Sequence, residues 1–116
     1  MATVLLVDDD PNALDALKEL VVQEGYRVTT AADGTDALRS ALADPPDVVI
    51  SDCMMPRMDG IALMRAMRRN RALAHVPLVL VSALVTPPAD ADVAGFLRKP
   101  FAVTQLLDIL RRVQAA

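Results

Sequence analysis

Val48-Val49-Ile50-Ser51-Asp52-Cys53-Met54-Met55-Pro56-Arg57-Met58-Asp59-Gly60 is the stretch on which the fold turns. Val48–Ser51 is a short, almost wholly apolar run, as expected of a strand covered on both faces. The run stops on a carboxylate, Asp52. After a short loop, Asp59-Gly60 opens a helix carrying Ile61, Met64 and Met67 at helical spacing. A buried strand, an acidic strand end and a helix immediately behind it make half of a parallel βαβ unit.

The pattern repeats in both directions. Upstream, Asp44-Pro45-Pro46 ends a helix marked by Ala37, Leu38, Ala41 and Leu42, and Asp33-Gly34 before it reads as a turn. Tyr26–Thr30 is a strand, and Gly25 is a C-terminal stop for a helix with Leu14, Leu17, Leu20 and Val21 on one face. Asp10-Pro11 starts that helix, a capping acceptor followed by proline at the first helical position. Thr3–Val7 is the first strand. Downstream, Pro77–Ser82 is a fourth apolar strand, Gly95–Arg98 a short fifth, and Val103–Val113 a last amphipathic helix. Arg65, Arg68, Arg69 and Arg71 crowd the third helix and its C-terminal end, where cations suit the macrodipole, and read as a solvated face. Five strands alternating with helices predict an α/β fold, an open doubly wound parallel sheet.

Bulk composition narrows the class. With 116 residues, 53% of them hydrophobic, the chain suits a globular domain without disulfide or metal staples, not a disordered one. Twelve basic against fifteen acidic residues give a net charge of −3, which argues against a nucleic-acid or anionic-membrane surface. A lone Cys53, no apolar run long enough to span a bilayer and no signal-peptide pattern lead to the expectation of one domain over residues 1–116 in a reducing cytoplasm.

Open parallel sheets bind ligands outside the carboxyl ends of their strands. Here the first strand ends in Asp8-Asp9-Asp10, the third in Asp52, the fourth in Ser82 and the fifth in Lys99-Pro100. Carboxylates so close repel unless protonated or neutralised by a cation. Hard carboxylate oxygens with few other donors select Mg²⁺, which keeps several waters and leaves room for a phosphate. Lys99 adds a positive charge and Ser82 a hydroxyl, both suited to the oxygens of a phosphoryl group transferring to Asp52.

With Val7-Asp8-Asp9-Asp10, Asp52 to Gly60, Val81-Ser82-Ala83 and Phe96-Leu97-Arg98-Lys99-Pro100-Phe101 in this order, the chain resembles the receiver domain of bacterial two-component response regulators over nearly its whole length. The resemblance implies a flavodoxin-like sheet of order 2-1-3-4-5 and a phosphorylation switch. Asp52 would accept the phosphoryl group, and Asp9 would ligate Mg²⁺ directly, with Asp8 doing so directly or through water. Met54 would lend the metal a backbone carbonyl. Ser82 and Lys99 would bind phosphoryl oxygens, Phe96 would swing inward on activation, and the Lys99-Pro100 bond would be cis. The partners implied are a sensor histidine kinase or histidine phosphotransfer protein upstream and an unidentified protein target downstream.

Weighed singly, several residues read more plainly. Asp10 is a helix cap, and Met54, Met55 and Met58 pack rather than ligate a soft metal. His75 belongs to a surface loop, and Cys53 is a small side chain near the site. The chain departs from the family between Ser82 and Lys99, which lie only 17 positions apart. The stretch Leu84 to Ala94 has little apolar periodicity, and Pro87-Pro88 would interrupt a helix. The family's fourth helix is therefore expected to be lost or cut to a turn. Met54 and Leu84, both apolar, flank the expected path of attacking water and suggest a long-lived phosphorylated form. Two other functions compete with this one. An aspartyl phosphatase would place its nucleophile on the first strand and carry a lid. A docking module that is never phosphorylated need not bind Mg²⁺.

Overall fold

The computed structural model describes residues 2–83, 86–87 and 89–115. Its elements run β1 (Thr3–Val7), α1 (Pro11–Gln23), β2 (Arg27–Ala31), α2 (Gly34–Ala43), β3 (Val48–Asp52), α3 (Gly60–Arg69), β4 (Leu78–Ser82), β5 (Gly95–Arg98) and α4 (Val103–Ala115). The five strands form one parallel sheet in the order β2-β1-β3-β4-β5. Both the sheet type and the order agree with the expectation from sequence.

The period-two alternation of a strand divides the core into two layers. Leu5, Val7, Val49, Leu78 and Leu80 face α2 and α3, where Ala37, Ala41, Leu63, Met64 and Met67 close over them. Val4, Leu6, Val48, Ile50, Val79 and Val81 face the opposite way, under Val21 of α1 and Leu106, Ile109 and Leu110 of α4. Strands β3 and β4 lie inside the sheet, covered on both sides, which is why Val48–Ile50 and Leu78–Val81 read as unbroken apolar runs.

Several boundaries move. β2 begins one residue later than Tyr26, because the chain is still closing α1 there: Gly25 takes φ +96 and the Tyr26 amide donates to Val21 O. Asp33-Gly34 is the N-terminus of α2 rather than a free turn, with Asp33 accepting from the Asp36 amide at 2.9 Å. β3 includes Asp52, and β4 starts after Pro77, which has no N–H to give. α4 runs two residues past Val113. α3 ends at Arg69, so Arg71 falls in the following turn.

Among the described residues no helix lies between β4 and β5, as the prolines foretold. Ala91 and Val93 pack on the α2–α3 side of the core, and the Ala94 amide donates to Leu78 O at 2.8 Å. Arg68 fastens this segment and corrects the reading of the α3 arginines. Arg65 and Arg69 are exposed, but Arg68 turns inward, with Nη1 donating to Val76 O at 2.7 Å and Nη2 to Asp92 O at 3.2 Å. Among the described residues no helix is long and apolar enough to cross a membrane.

Candidate functional site

Strand register assembles the crevice. Val7 stands opposite Ser51, Asp52 opposite Val81, and Ser82 opposite Arg98. Asp8, Asp52, Ser82 and Lys99 are therefore within a residue of one line across the carboxyl ends of β1, β3, β4 and β5. Asp8 and Asp52 continue the alternation of Leu6 and Ile50, so their carboxylates emerge on the same side of the sheet.

Oxygens of Asp8, Asp9 and Asp52 all lie within 4.8 Å of one another. Asp8 is buried, Asp52 half-buried and Asp9 exposed. Lys99 Nζ sits 3.4 Å from Asp8 Oδ2 and 3.5 Å from Asp52 Oδ1, linking two acids. The Lys99 amide donates to Ser82 O at 3.0 Å, which draws the end of β5 against the buried Ser82. The Lys99–Pro100 peptide is cis. Asp10 stands apart from the cluster as the cap of α1, its Oδ1 accepting from the Asn12 amide at 3.0 Å. It also helps orient its neighbour, donating its own amide to Asp8 Oδ1 at 2.9 Å.

Burial raises the Asp52 carboxyl above the ordinary carboxylate value; Lys99 pulls it back, and Asp8 and Asp9 push it further up. Lys99 ends above its ordinary value: burial lowers it, but Asp52 and then Asp8 outweigh burial. One ammonium thus faces three carboxylates, an excess of negative charge that suits a small hard cation. Cys53 is buried, and burial followed by Asp59 and Asp52 pushes its thiol up, away from the thiolate a redox role needs.

The loop from Cys53 to Asp59 flanks the acids. Its base is drawn tight where the Gly60 amide donates to Cys53 O at 2.9 Å. A Cβ on Gly60 would stand 2.5 Å from Asp52 O, so only glycine allows α3 to start so close behind the acid. Met54 is exposed and shares a shallow cleft of about 360 Å³ with Asp9, Met55, Pro56 and Asp59. A deeper apolar cleft of about 510 Å³ runs under the crevice between Leu6, Ile50, Val81, Leu14, Leu17 and Phe101.

Phe96 does not join the acid cluster. It is half-buried on the α2–α3 side of β5, with the Arg98 guanidinium 5.8 Å from its ring centroid. His75 is exposed in the turn after α3, as read. Leu84 lies outside the described residues. Two features escaped the sequence reading: the inward-turned Arg68, and an ion pair between Arg57 in the β3–α3 loop and the fully buried Asp33. Residues so far apart along the chain leave no periodic or spacing signal.

Comparison with known proteins gives one family. Residues 4–111 match the response regulator receiver domain. Transcriptional regulatory protein KdpE of Mycobacterium tuberculosis is 36% identical over 116 residues, covering 96% of this chain; the chain spans 50% of that relative's length. Chemotaxis protein CheY4 of Vibrio cholerae superposes with a TM-score of 0.90 at 35% identity, over 97% of this chain and 98% of the other. The receiver domain of sensor histidine kinase PA1611 from Pseudomonas aeruginosa, solved with magnesium coordinated in its active-site cleft, superposes with a TM-score of 0.92 at 31% identity. That match covers 99% of this chain and 98% of that one.

Proposed function

We infer the function from the family: the chain belongs to the response regulator receiver domains, phosphoryl-accepting switches that catalyse only their own phosphorylation and dephosphorylation. We propose that Asp52 is the acceptor, that Asp8, Asp9, Asp52 and the Met54 carbonyl hold Mg²⁺, and that Ser82 and Lys99 bind the phosphoryl oxygens. The observation that carries this reading is the convergence of three carboxylates and one lysine at the ends of three strands, β1, β3 and β5.

An Asp52 carboxylate oxygen would attack phosphorus while the bond from phosphorus to the donor breaks. With a histidine kinase or histidine phosphotransfer protein as donor, that bond is P–N and the imidazole leaves. Bound Mg²⁺ would neutralise charge on the acids and on the transferring oxygens. Lys99 already sits within an ion pair's distance of Asp52 and would shift its charge onto the incoming phosphoryl group. Ser82, held by β4 and by the Lys99 amide, would donate its hydroxyl to the same group. Phe96, with Arg98 beside it, is the aromatic that would report the change to a downstream protein partner.

Intact mass after incubation with Mg²⁺ and acetyl phosphate tests the reading on wild type and Asp52→Ala. A gain of about 80 Da, one phosphoryl group, is expected only in the wild type and only with Mg²⁺. No adduct in any condition would overturn the reading and leave a docking module.

A further inference from the structure

We propose that the Arg57–Asp33 ion pair is a positioning clamp that sets the affinity of the crevice for Mg²⁺, an inference resting on the metal reading above. Arg57 occupies the left-handed region at φ +64, where a long side chain is uncommon. Such a conformation persists where its surroundings hold it. Here the guanidinium reaches back to Asp33 Oδ2, while Asp33 Oδ1 caps α2 through the Asp36 amide at 2.9 Å. Asp33 is 0% exposed, so its second oxygen would otherwise face the interior without a cation.

The neighbouring residues are stitched as well. The Gly34 amide donates to Met58 O at 2.9 Å, and no Cβ would fit on Gly34 against Met58. The β3–α3 loop is therefore tied at its base, by Gly60 to Cys53, and at its outer arm, by Arg57 and Met58 to the start of α2. Met54 lies between these ties, on the cleft it shares with Asp9. The outer tie restrains the path of the main chain at Met54, although neither Arg57 nor Asp33 belongs to the acid cluster. Loosening it leaves the carboxylates at the ends of β1 and β3 in place and frees the one proposed ligand supplied by the β3–α3 loop. By linkage, a metal that draws the loop inward tightens the clamp in return.

A pair serving stability alone would move the melting temperature and leave the metal affinity unchanged, so the test reads both. Mg²⁺ is titrated calorimetrically into wild type, Arg57→Gly, Arg57→Lys, Asp33→Asn and the double variant Asp33→Asn/Arg57→Gly, with circular dichroism checking that each is folded. Arg57→Gly suits the backbone conformation and leaves the cap untouched. It should weaken Mg²⁺ binding about three- to tenfold, Arg57→Lys should recover part of the loss, and the double variant should be no weaker than the worse single one. A folded Arg57→Gly that binds Mg²⁺ as the wild type does, or two losses that simply add, overturns the clamp. A wild type that binds no Mg²⁺ overturns the metal reading, and the clamp's role with it.

Discussion

Replacing Arg68 by alanine should destabilise the protein far more than replacing either exposed arginine beside it on α3. Arg68 Nη1 donates to Val76 O at 2.7 Å and Nη2 to Asp92 O at 3.2 Å, while the Nη1 approaches to Leu73 O and Ala74 O, at 3.5 and 3.4 Å, are too long to count fully. Its Nε is 3.0 Å from Asp92 Oδ2 but makes no hydrogen bond there, so that contact acts as charge attraction alone. A hydrogen bond to a charged group contributes about 1.5–3 kcal/mol. The bond to Asp92 O is exposed, which favours the low end, the bond to Val76 O is partly buried, and an ion pair to a carboxylate 75% exposed adds at most about 1 kcal/mol. The expected loss is about 2–3 kcal/mol, or roughly 10 °C in Tm for a domain of this size. Thermal melts by circular dichroism would measure it, with Arg65→Ala and Arg69→Ala expected within about 0.5 kcal/mol of wild type. Hydrogen exchange gives a second reading: the Ala94 amide, bonded to Leu78 O, should lose protection before the β3–β4 ladder does. Arg68→Ala melting with the two controls would refute the reasoning, because the segment between β4 and β5 would then be held by its apolar contacts and the Ala94 amide without help from Arg68.

The Asp52 carboxyl, raised chiefly by burial, gives a pH test in metal-free buffer. A group whose folded-state pKa lies above its unfolded value lends stability that is complete below the unfolded value, 3.8 here, and lost as pH rises through the folded one. Asp52→Asn should therefore be more stable than wild type at pH 7 in EDTA, with the difference closing as the pH falls into the carboxylate range; a difference that widens on acidification contradicts the burial argument. Gly60→Ala would drive a Cβ to 2.5 Å from Asp52 O and 2.9 Å from Leu80 Cδ2. It should cost about 1–3 kcal/mol as α3 backs away, and slow acetyl-phosphate labelling of Asp52; labelling at the wild-type rate would mean the loop absorbs the shift without moving the acid.

What could be read from the sequence was set by strand register and strand burial. Thr3–Val7, Val48–Ser51 and Pro77–Ser82 were legible because parallel strands covered on both faces must be apolar nearly throughout, whereas the edge strand β2, with Arg27, Thr29 and Thr30 exposed, showed only by its place between two helices. Asp8, Asp52, Ser82 and Lys99 were legible through the strands: each directly follows or ends one, so finding the strands finds the candidate site. Boundaries went astray where a side chain caps a backbone. Asp33-Gly34 looks like a turn until its carboxylate is seen to accept from Asp36. Arg68 was read as surface because composition sees a charge on a helix, not the carbonyls of Val76 and Asp92 that the chain carries to it.

The lack of a helix between β4 and β5 among the described residues and the convergence of the acids have one physical explanation. Every strand-end acid is positioned by β1 and β3, which pair with each other and with neighbours on both sides, and none depends on the connection from β4 to β5. That connection owes the site only two things, Ser82 at its start and Lys99 one residue after β5, and the ladder from Val79–Gly95 to Ser82–Arg98 holds both ends in register. The α2–α3 side of β4 and β5 still has to be covered. In this chain Ala91, Val93 and Phe96 cover it, and the Arg68 guanidinium pins the segment that carries the first two. A short tethered segment has few arrangements open to it, so movement following Ser82 and Phe96 would pass through the Asp92 tether or be blocked by it. Asp92→Asn, which weakens the tether's charge and keeps its backbone carbonyl, separates the part of Arg68 that holds the fold from any part that governs how far that movement travels.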